Sequence, residues 1–377
     1  MNVAGIVAEY NPMHSGHLYH LQQTKEQCNA DFVVAVMSGS FTQRGEPAIY
    51  DKWLRATAAV HNGVDLVLEL PFAYACNSAE YFGNGSVDIL EGLGCVTHLS
   101  FGSETGEVGP LWDIATFLAK EPAAYKAALR QNLDKGLSFP KARELAVSNT
   151  YGKPDALKEP NNILGIEYLK AIIRLKSTMT PVAIKRMGQG HHESASEIRS
   201  SIIWDEGKYF DMVRQAFIKS QASSLNGIFG AAEGIENKIM KNLRTAKDVD
   251  DLIDKVKSKR YTWTSINRLL AQTLVGFTVE EFKKINHTRY GRILAFNESG
   301  AKLLRYIKKH ELAKMPIITN INRDLNENSA VDLSVHLSLA KDILAADLYN
   351  LAFGKDLYEN SDYVMKPVYI HQPLSYL

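Results

Sequence analysis

Sulfur chemistry is scarce in this chain. Its 377 residues hold three cysteines, Cys28, Cys76 and Cys95. They are odd in number and lack metal-ligand spacing, which excludes a disulfide framework or a thiolate zinc centre and suits a reducing compartment. Charge of one sign is lacking too: 43 Lys and Arg stand against 42 Asp and Glu, so global charge selects no partner. No apolar run approaches the roughly 20 residues of a membrane span. No signal peptide precedes the first apolar segment, and there is no internal repeat or low-complexity linker. What is left is a soluble cytoplasmic protein, with length for two domains and at least one large core.

The first hundred residues alternate short apolar runs with segments of helical spacing. Val3 to Ala8, Phe32 to Met37, Leu66 to Leu70 and Val96 to Phe101 read as strands. Leu18 to Cys28, Tyr50 to His61 and Ala79 to Leu93 read as the crossovers between them, which predicts an α/β doubly wound parallel sheet. Residues 108 to 150 and Asn162 to Leu175 add helices, and Val182 to Lys185 one more strand. Helical periodicity then dominates, as in Ile235 to Leu243, Val249 to Val256, Ile266 to Leu274 and Ala301 to His310. The expected division is a catalytic domain over residues 1–205 and a mainly helical domain over 206–377. Between Lys238 and Lys309, 17 Lys and Arg face 7 Asp and Glu. That local excess is either a set of solvated helix faces or a surface for nucleic-acid phosphates.

Directly behind the first strand stands Glu9-Tyr10-Asn11-Pro12-Met13-His14-Ser15-Gly16-His17-Leu18-Tyr19-His20. In an open α/β sheet ligands gather at the carboxyl ends of the strands, and the first strand-to-helix turn is where phosphates meet a helix N-terminus. Pro12 suits a turn leaving the strand, and Gly16 suits a close approach of backbone to ligand. If a helix begins between His14 and His17, both can face one phosphate, and an imidazolium there would add charge and a directional donor. The competing readings are a chance turn or a zinc site, the latter weakened by the lack of further ligands nearby other than Glu9.

A second segment, Ser194-Ala195-Ser196-Glu197-Ile198-Arg199, has the form of a helix start. Ser194 or Ser196 can cap the helix and offer hydroxyl and amides to phosphate, and Arg199 a fixed positive charge. Alone it is an ordinary N-cap. With the early motif, in this order, it resembles the H-x-G-H nucleotidyltransferase superfamily.

The resemblance narrows. Ala8-Glu9-Tyr10-Asn11-Pro12 before His14, Met37 to Ala48 (MSGSFTQRGEPA) and Pro160 to Gly165 (PNNILG) are similar to the bacterial tRNA(Met) cytidine acetate ligase family, over nearly the whole chain. This implies an ATP-dependent enzyme. It would convert acetate to acetyl-adenylate and pass the acetyl group to N4 of the wobble cytidine of elongator tRNA(Met), with magnesium on the phosphates and no membrane partner. Carried over by position, Val7 to His20 would be the ATP turn, namely Val7, Ala8, Glu9, Tyr10, Asn11, Pro12, Met13, His14, Ser15, Gly16, His17, Leu18, Tyr19 and His20. Gly102 would border the adenosine. One or both of Asn161 and Asn162, with Arg186, would bind nucleotide, and His14, His17 and Arg199 would be catalytic. Ordinary roles stay open for the asparagines, as helix caps, and for Arg186, as a surface ion pair. The hydroxyls, amide and arginine of Ser38 to Gly45 are candidates for holding acetate, and Lys52 and Arg55 for phosphate or tRNA. Met13, Ser15 and Ser40 depart from the commoner family residues. The alternatives are a small-molecule adenylyltransferase on the same scaffold, which would need no basic helical domain, and a non-catalytic RNA-binding protein.

Overall fold

A computed structural model describes all residues except 153, 187–205, 221–224, 226, 232–233, 286–289, 326–331 and 372–377. Its first half runs β1 (Val3–Ala8), α1 (Ser15–Gln27), β2 (Phe32–Ser38), α2 (Lys52–His61), β3 (Leu66–Leu70), α3 (Phe72–Ala75), α4 (Ala79–Gly92), β4 (His98–Ser103), α5 (Val108–Lys120), α6 (Ala123–Asp134), α7 (Phe139–Thr150), α8 (Pro160–Leu175) and β5 (Thr180–Lys185). The strands are short and rich in Val, Ile and Leu, and most of their residues are buried, as helices on both faces of a parallel sheet require. Their order is β5-β4-β1-β2-β3, all parallel. The chain steps outward from β1 through β2 to β3, then returns to place β4 on the other flank of β1. The crevice at the carboxyl ends of β1 and β4 is therefore the topological switch point, where such sheets bind ligands.

The second half comprises α9 (Glu206–Lys219), α10 (Ile235–Leu243), α11 (Val249–Val256), α12 (Trp263–Val275), α13 (Val279–Ile285), β6 (Gly291–Asn297), α14 (Glu298–Lys309), β7 (Ile317–Ile318), α15 (Ile321–Asp324), α16 (Leu333–Ala352) and β8 (Val368–Ile370). It is mainly helical, with a correction. β6 pairs antiparallel with β3, and β7 and β8 pair with β6, so the sheet of the first half continues into the second. The run Arg292 to Phe296 is too short for its period to separate strand from helix. One apolar cluster accordingly spans Val34 and Leu68 of the sheet, Phe210 and Leu270 of the helices and Phe277 between α12 and α13.

Polar atoms tie the halves together as well. Lys52 Nζ donates to Glu69 Oε1 at 2.8 Å and to Asp362 Oδ2 at 2.7 Å. Arg292 reaches the same two carboxylates at 3.2 and 2.8 Å. Asp342 accepts the Phe72 amide at 2.7 Å and the Tyr290 hydroxyl. All six side chains of this network, from Lys52 to Asp342 and Tyr290, are buried. A buried charge without its partner costs several kcal/mol, so each partner helps to fix the segment that carries it.

Candidate active site

The residues behind β1 form a capped helix start. His14 is the N-cap of α1, in extended conformation. Its Nδ1 accepts the Gly16 N–H at 3.1 Å, and the His14 N–H donates to His17 Nδ1 at 3.3 Å. This is a capping box with histidines in both reciprocal positions. Because each Nδ1 accepts an amide, each neutral ring carries its proton on Nε2. The two rings lie together, centroids 3.9 Å apart, and Tyr10 meets His17 edge-on at 5.2 Å. The turn thus presents two Nε2–H donors at the first turn of a helix, where the backbone dipole already favours an anion.

Two sequence expectations change. Burial foremost, then the neighbouring His14, His20 and Arg186, pulls the His17 pKa down to about 3. His17 is thus a neutral donor at physiological pH, not the expected imidazolium. Gly16 has a nearer reason than ligand approach, since a Cβ there would lie 2.9 Å from His14 Cε1. Any side chain at Gly16 would displace the capping imidazole.

The rest of the turn is support. Tyr10 is buried at φ 46°, a left-handed conformation uncommon outside glycine. Asn11 Oδ1 accepts the Ile49 amide at 2.8 Å, and Glu9 Oε1 the Gln43 amide at 2.6 Å. Met13 packs on the apolar cluster around Ile6 and Tyr10. His20, one turn beyond His17, bonds Ser100 on β4 at 3.2 Å, and burial lowers its pKa to about 4. Leu18 is exposed.

On the β4 side the ladder runs two residues further than expected, to Ser103 opposite Lys185. Gly102 therefore lies within the strand, and among the described residues a Cβ on it would meet only Arg186 Cγ, at 3.7 Å. The structure separates the two asparagines. Asn162 is buried, and its Oδ1 accepts from Ser103 Oγ at 2.9 Å and from the Glu104 amide at 3.3 Å. Asn161 is half-buried and donates to Glu104 Oε1 at 2.7 Å, while Glu104 Oε2 takes the Asn162 amide in the first turn of α8. Helix α8 is thus capped by Glu104, not by either asparagine. Arg186 lies 3.8 Å from the same Glu104 and is 58% exposed. Gly102, Asn161 and Arg186 come together around Glu104, a residue the sequence reading missed although it stands two positions after Gly102.

Lys52 and Arg55 are not ligand contacts. Both are 2% exposed. Lys52 belongs to the buried ionic network, and Arg55 binds carbonyls: Nε donates to Tyr50 O at 2.9 Å, Nη1 to Glu9 O at 2.6 Å, and Nη2 to Gly39 O. It joins the loop leaving β1 to the loop leaving β2. Between Ser38 and Gly45, Ser38, Ser40 and Thr42 are buried and only Arg44, at the tip, is exposed. Gln43 is held on three sides, by Glu9 Oε1, by Asn77 O at 2.9 Å and by Arg268 Nη1 at 3.3 Å. Arg268 comes from α12 and carried no motif in the sequence. Ser194, Ser196 and Arg199 lie outside the described residues. Among the described residues no three His, Cys, Asp or Glu side chains are grouped to hold a metal ion, and no helix is long and apolar enough to cross a membrane.

A paired-histidine cap at the switch point of a doubly wound sheet defines a nucleotidyltransferase of the H-x-G-H class, and a family model described as HIGH nucleotidyl transferase matches residues 1–205 and 195–362. The tRNA(Met) cytidine acetate ligases of Thermoanaerobacter sp. (strain X514) and Clostridium acetobutylicum are each 39% identical to this chain, covering 97% and 98% of it and 98% and 100% of their own lengths. The crystal structure of Thermotoga maritima TmcAL bound with alpha-thio ATP superposes with a TM-score of 0.89 at 31% identity, over 99% of this chain and 100% of the other. The chain belongs to the tRNA(Met) cytidine acetate ligase family.

Proposed function

We propose that the protein activates acetate with ATP and transfers the acetyl group to N4 of the wobble cytidine of elongator tRNA(Met), in the cytoplasm. The observation that carries the nucleotide half is the pair of Nε2–H donors of His14 and His17 at the β1/β4 switch point. Support for acceptor and donor comes from the relatives' names and from the ATP analogue on the Thermotoga protein. In the first step an acetate oxygen attacks the α-phosphorus, the bond to the bridging oxygen breaks, and pyrophosphate leaves with the electron pair. Charge grows on the phosphate oxygens, where neutral imidazole donors and the α1 amides stabilise it without reorganising. Asn161 and Arg186, beside Gly102, would hold the rest of the nucleotide, and Arg199 would add charge to the phosphates. Magnesium would arrive on the nucleotide and neutralise phosphate charge. In the second step the cytidine amine attacks the acetyl carbonyl, the carbonyl carbon releases AMP, and the nitrogen loses a proton. That amine is a weak nucleophile, which is why a mixed anhydride suits as donor.

The test is incubation with ATP, radiolabelled acetate and total tRNA, followed by nucleoside analysis. Label in N4-acetylcytidine from tRNA(Met) is expected. Label transfer with acetyl-CoA but not with acetate and ATP would overturn the proposal.

A further inference from the structure

Among the described residues four arginines stand around the loops at the carboxyl edge, and three have an evident disposition. Arg55 is saturated by backbone carbonyls, Arg186 faces Glu104, and Arg44 points to solvent at the loop tip. Arg268 differs. It is half-buried, no carboxylate oxygen lies within 4 Å of it among the described residues, and its one hydrogen bond among them is the 3.3 Å contact from Nη1 to Gln43 O. Burial works against its charge, and of the nearby groups only Cys76 favours it. A guanidinium withdrawn from water needs an anion or a full set of acceptors, and here it has one long bond.

The position of this arginine is rigid. Gly45, at φ +87°, has no Cβ because the backbone of Asn267 and Arg268 occupies that space. One turn further along α12, Gln272 Nε2 donates to Cys76 O at 2.8 Å. Gln43 is fixed by Glu9 and Asn77 as well as by Arg268, and Glu9 is next in sequence to Tyr10, whose ring touches His17. A short bonded path therefore links the guanidinium to the histidine turn, across loops that leave β1 and β2 on one edge.

We propose that Arg268 receives the carboxylate of the acyl substrate, the acetate of the reaction above, and orients it toward the nucleotide. The inference rests on the ligase reading and deepens it. A planar guanidinium matches a carboxylate with two parallel N–H donors, and the second oxygen lone pairs stay free to attack phosphorus. Arg268 remains protonated throughout; the bond formed is acetate oxygen to α-phosphorus, and the bond broken is that to pyrophosphate. The second half of the chain would thus complete the substrate site of the first.

The experiment is acetate-dependent exchange of labelled pyrophosphate into ATP, without tRNA, on the full-length protein. Arg268→Gln is expected to raise KM for acetate about 10- to 100-fold, the usual range for losing a charge-assisted pair, with KM for ATP within about twofold. Arg268→Lys keeps charge but not the fork and should give a smaller rise, which keeps the test available if the Gln variant folds poorly. Added guanidinium ion should restore part of the acetate affinity of Arg268→Ala. Unchanged acetate KM in the Lys and Gln variants, equal rises for ATP and acetate, or a rise in Arg44→Gln alone would overturn the assignment. A wild-type protein without acetate-dependent exchange would instead overturn the ligase reading itself.

Discussion

At the scale of single residues, the chemistry turns on which nitrogen of each histidine carries a proton. The capping box settles it, because both Nδ1 atoms accept amides and the proton of each neutral ring is therefore on Nε2. Replacing either His14 or His17 by Ala should cut acetyl-adenylate formation by about 100- to 1000-fold, as loss of one preorganised donor does elsewhere; single-turnover kinetics would read it, and a wild-type rate in both would remove them from the mechanism. The low pKa of His17 also has a sign. The unfolded chain binds that proton near the ordinary value of 6.5 and the folded chain only near 3, so the contribution of His17 to stability is present above about 6.5 and is lost as pH falls toward 3. Nitrogen-15 NMR should show His17 as the Nε2–H tautomer from pH 8 down to 5. An imidazolium at pH 6 would contradict the geometry. The asparagines separate in the same way: Asn162→Ala leaves Ser103 Oγ and the Glu104 amide without their acceptor and should cost about 1–3 kcal/mol of stability, whereas Asn161→Ala should spare stability and raise KM for ATP.

Elements were legible from sequence where two signals agreed. The strand β1 and the helix after it could be read because an apolar run, a proline and a helical pattern met at one place, and the helix begins between the two histidines as expected. What was not legible depended on contacts distant in sequence. Arg55 reads as a candidate for phosphate or tRNA contact, with a surface role as the alternative, yet it is buried because the carbonyls of Glu9, Gly39 and Tyr50 converge on it. Arg268 lies within the helical stretch Ile266 to Leu274 with no motif around it, and only the docking of α12 against Gly45 brings it to the edge. The basic window was legible as charge but not as surface. Arg292 is core, and Lys255, Lys257 and Lys302 are each paired with an acid three or four residues away. The helix α14 starts beside the amino end of β3, where the Asn297 amide donates to Asp65 O at 3.1 Å, while the stretch from Lys255 to Arg260 leads into α12 and thus toward the catalytic edge. Neutralising Lys255, Lys257, Lys259 and Arg260 should weaken tRNA binding and flatten its salt dependence, since fewer counterions are released, and should spare pyrophosphate exchange. Filter binding over a salt series would check this; an unchanged slope would take that stretch out of the tRNA surface.

At the scale of the whole molecule, the two halves are joined by a shared sheet, by two apolar clusters and by buried ionic contacts. Within that network burial, then the Glu69 charge, raises the Asp342 pKa to about 7, while the cations Arg292 and Lys52 outweigh burial and hold Asp362 below the ordinary carboxylate range. The folded state thus keeps a proton on Asp342 that the unfolded chain releases near the ordinary value of 3.8. That contribution is full below about 4 and is lost as pH rises toward 7, opposite in sign to that of Asp362. Asp342→Asn should therefore flatten the decline in stability between pH 4 and 7 in urea melts; an identical pH dependence would show that Asp342 is ionised throughout. A chain joined in this way lets a site be built from both halves, as the meeting of Arg268 with the loops behind β1 and β2 illustrates. The most direct measurement is pyrophosphate exchange into ATP in the absence of tRNA, with and without acetate. A two-step ligase predicts exchange that requires acetate and is lost in His17→Ala. Exchange indifferent to acetate, or acetate activation that proceeds only when tRNA is present, would contradict a free acetyl-adenylate formed at the histidine turn.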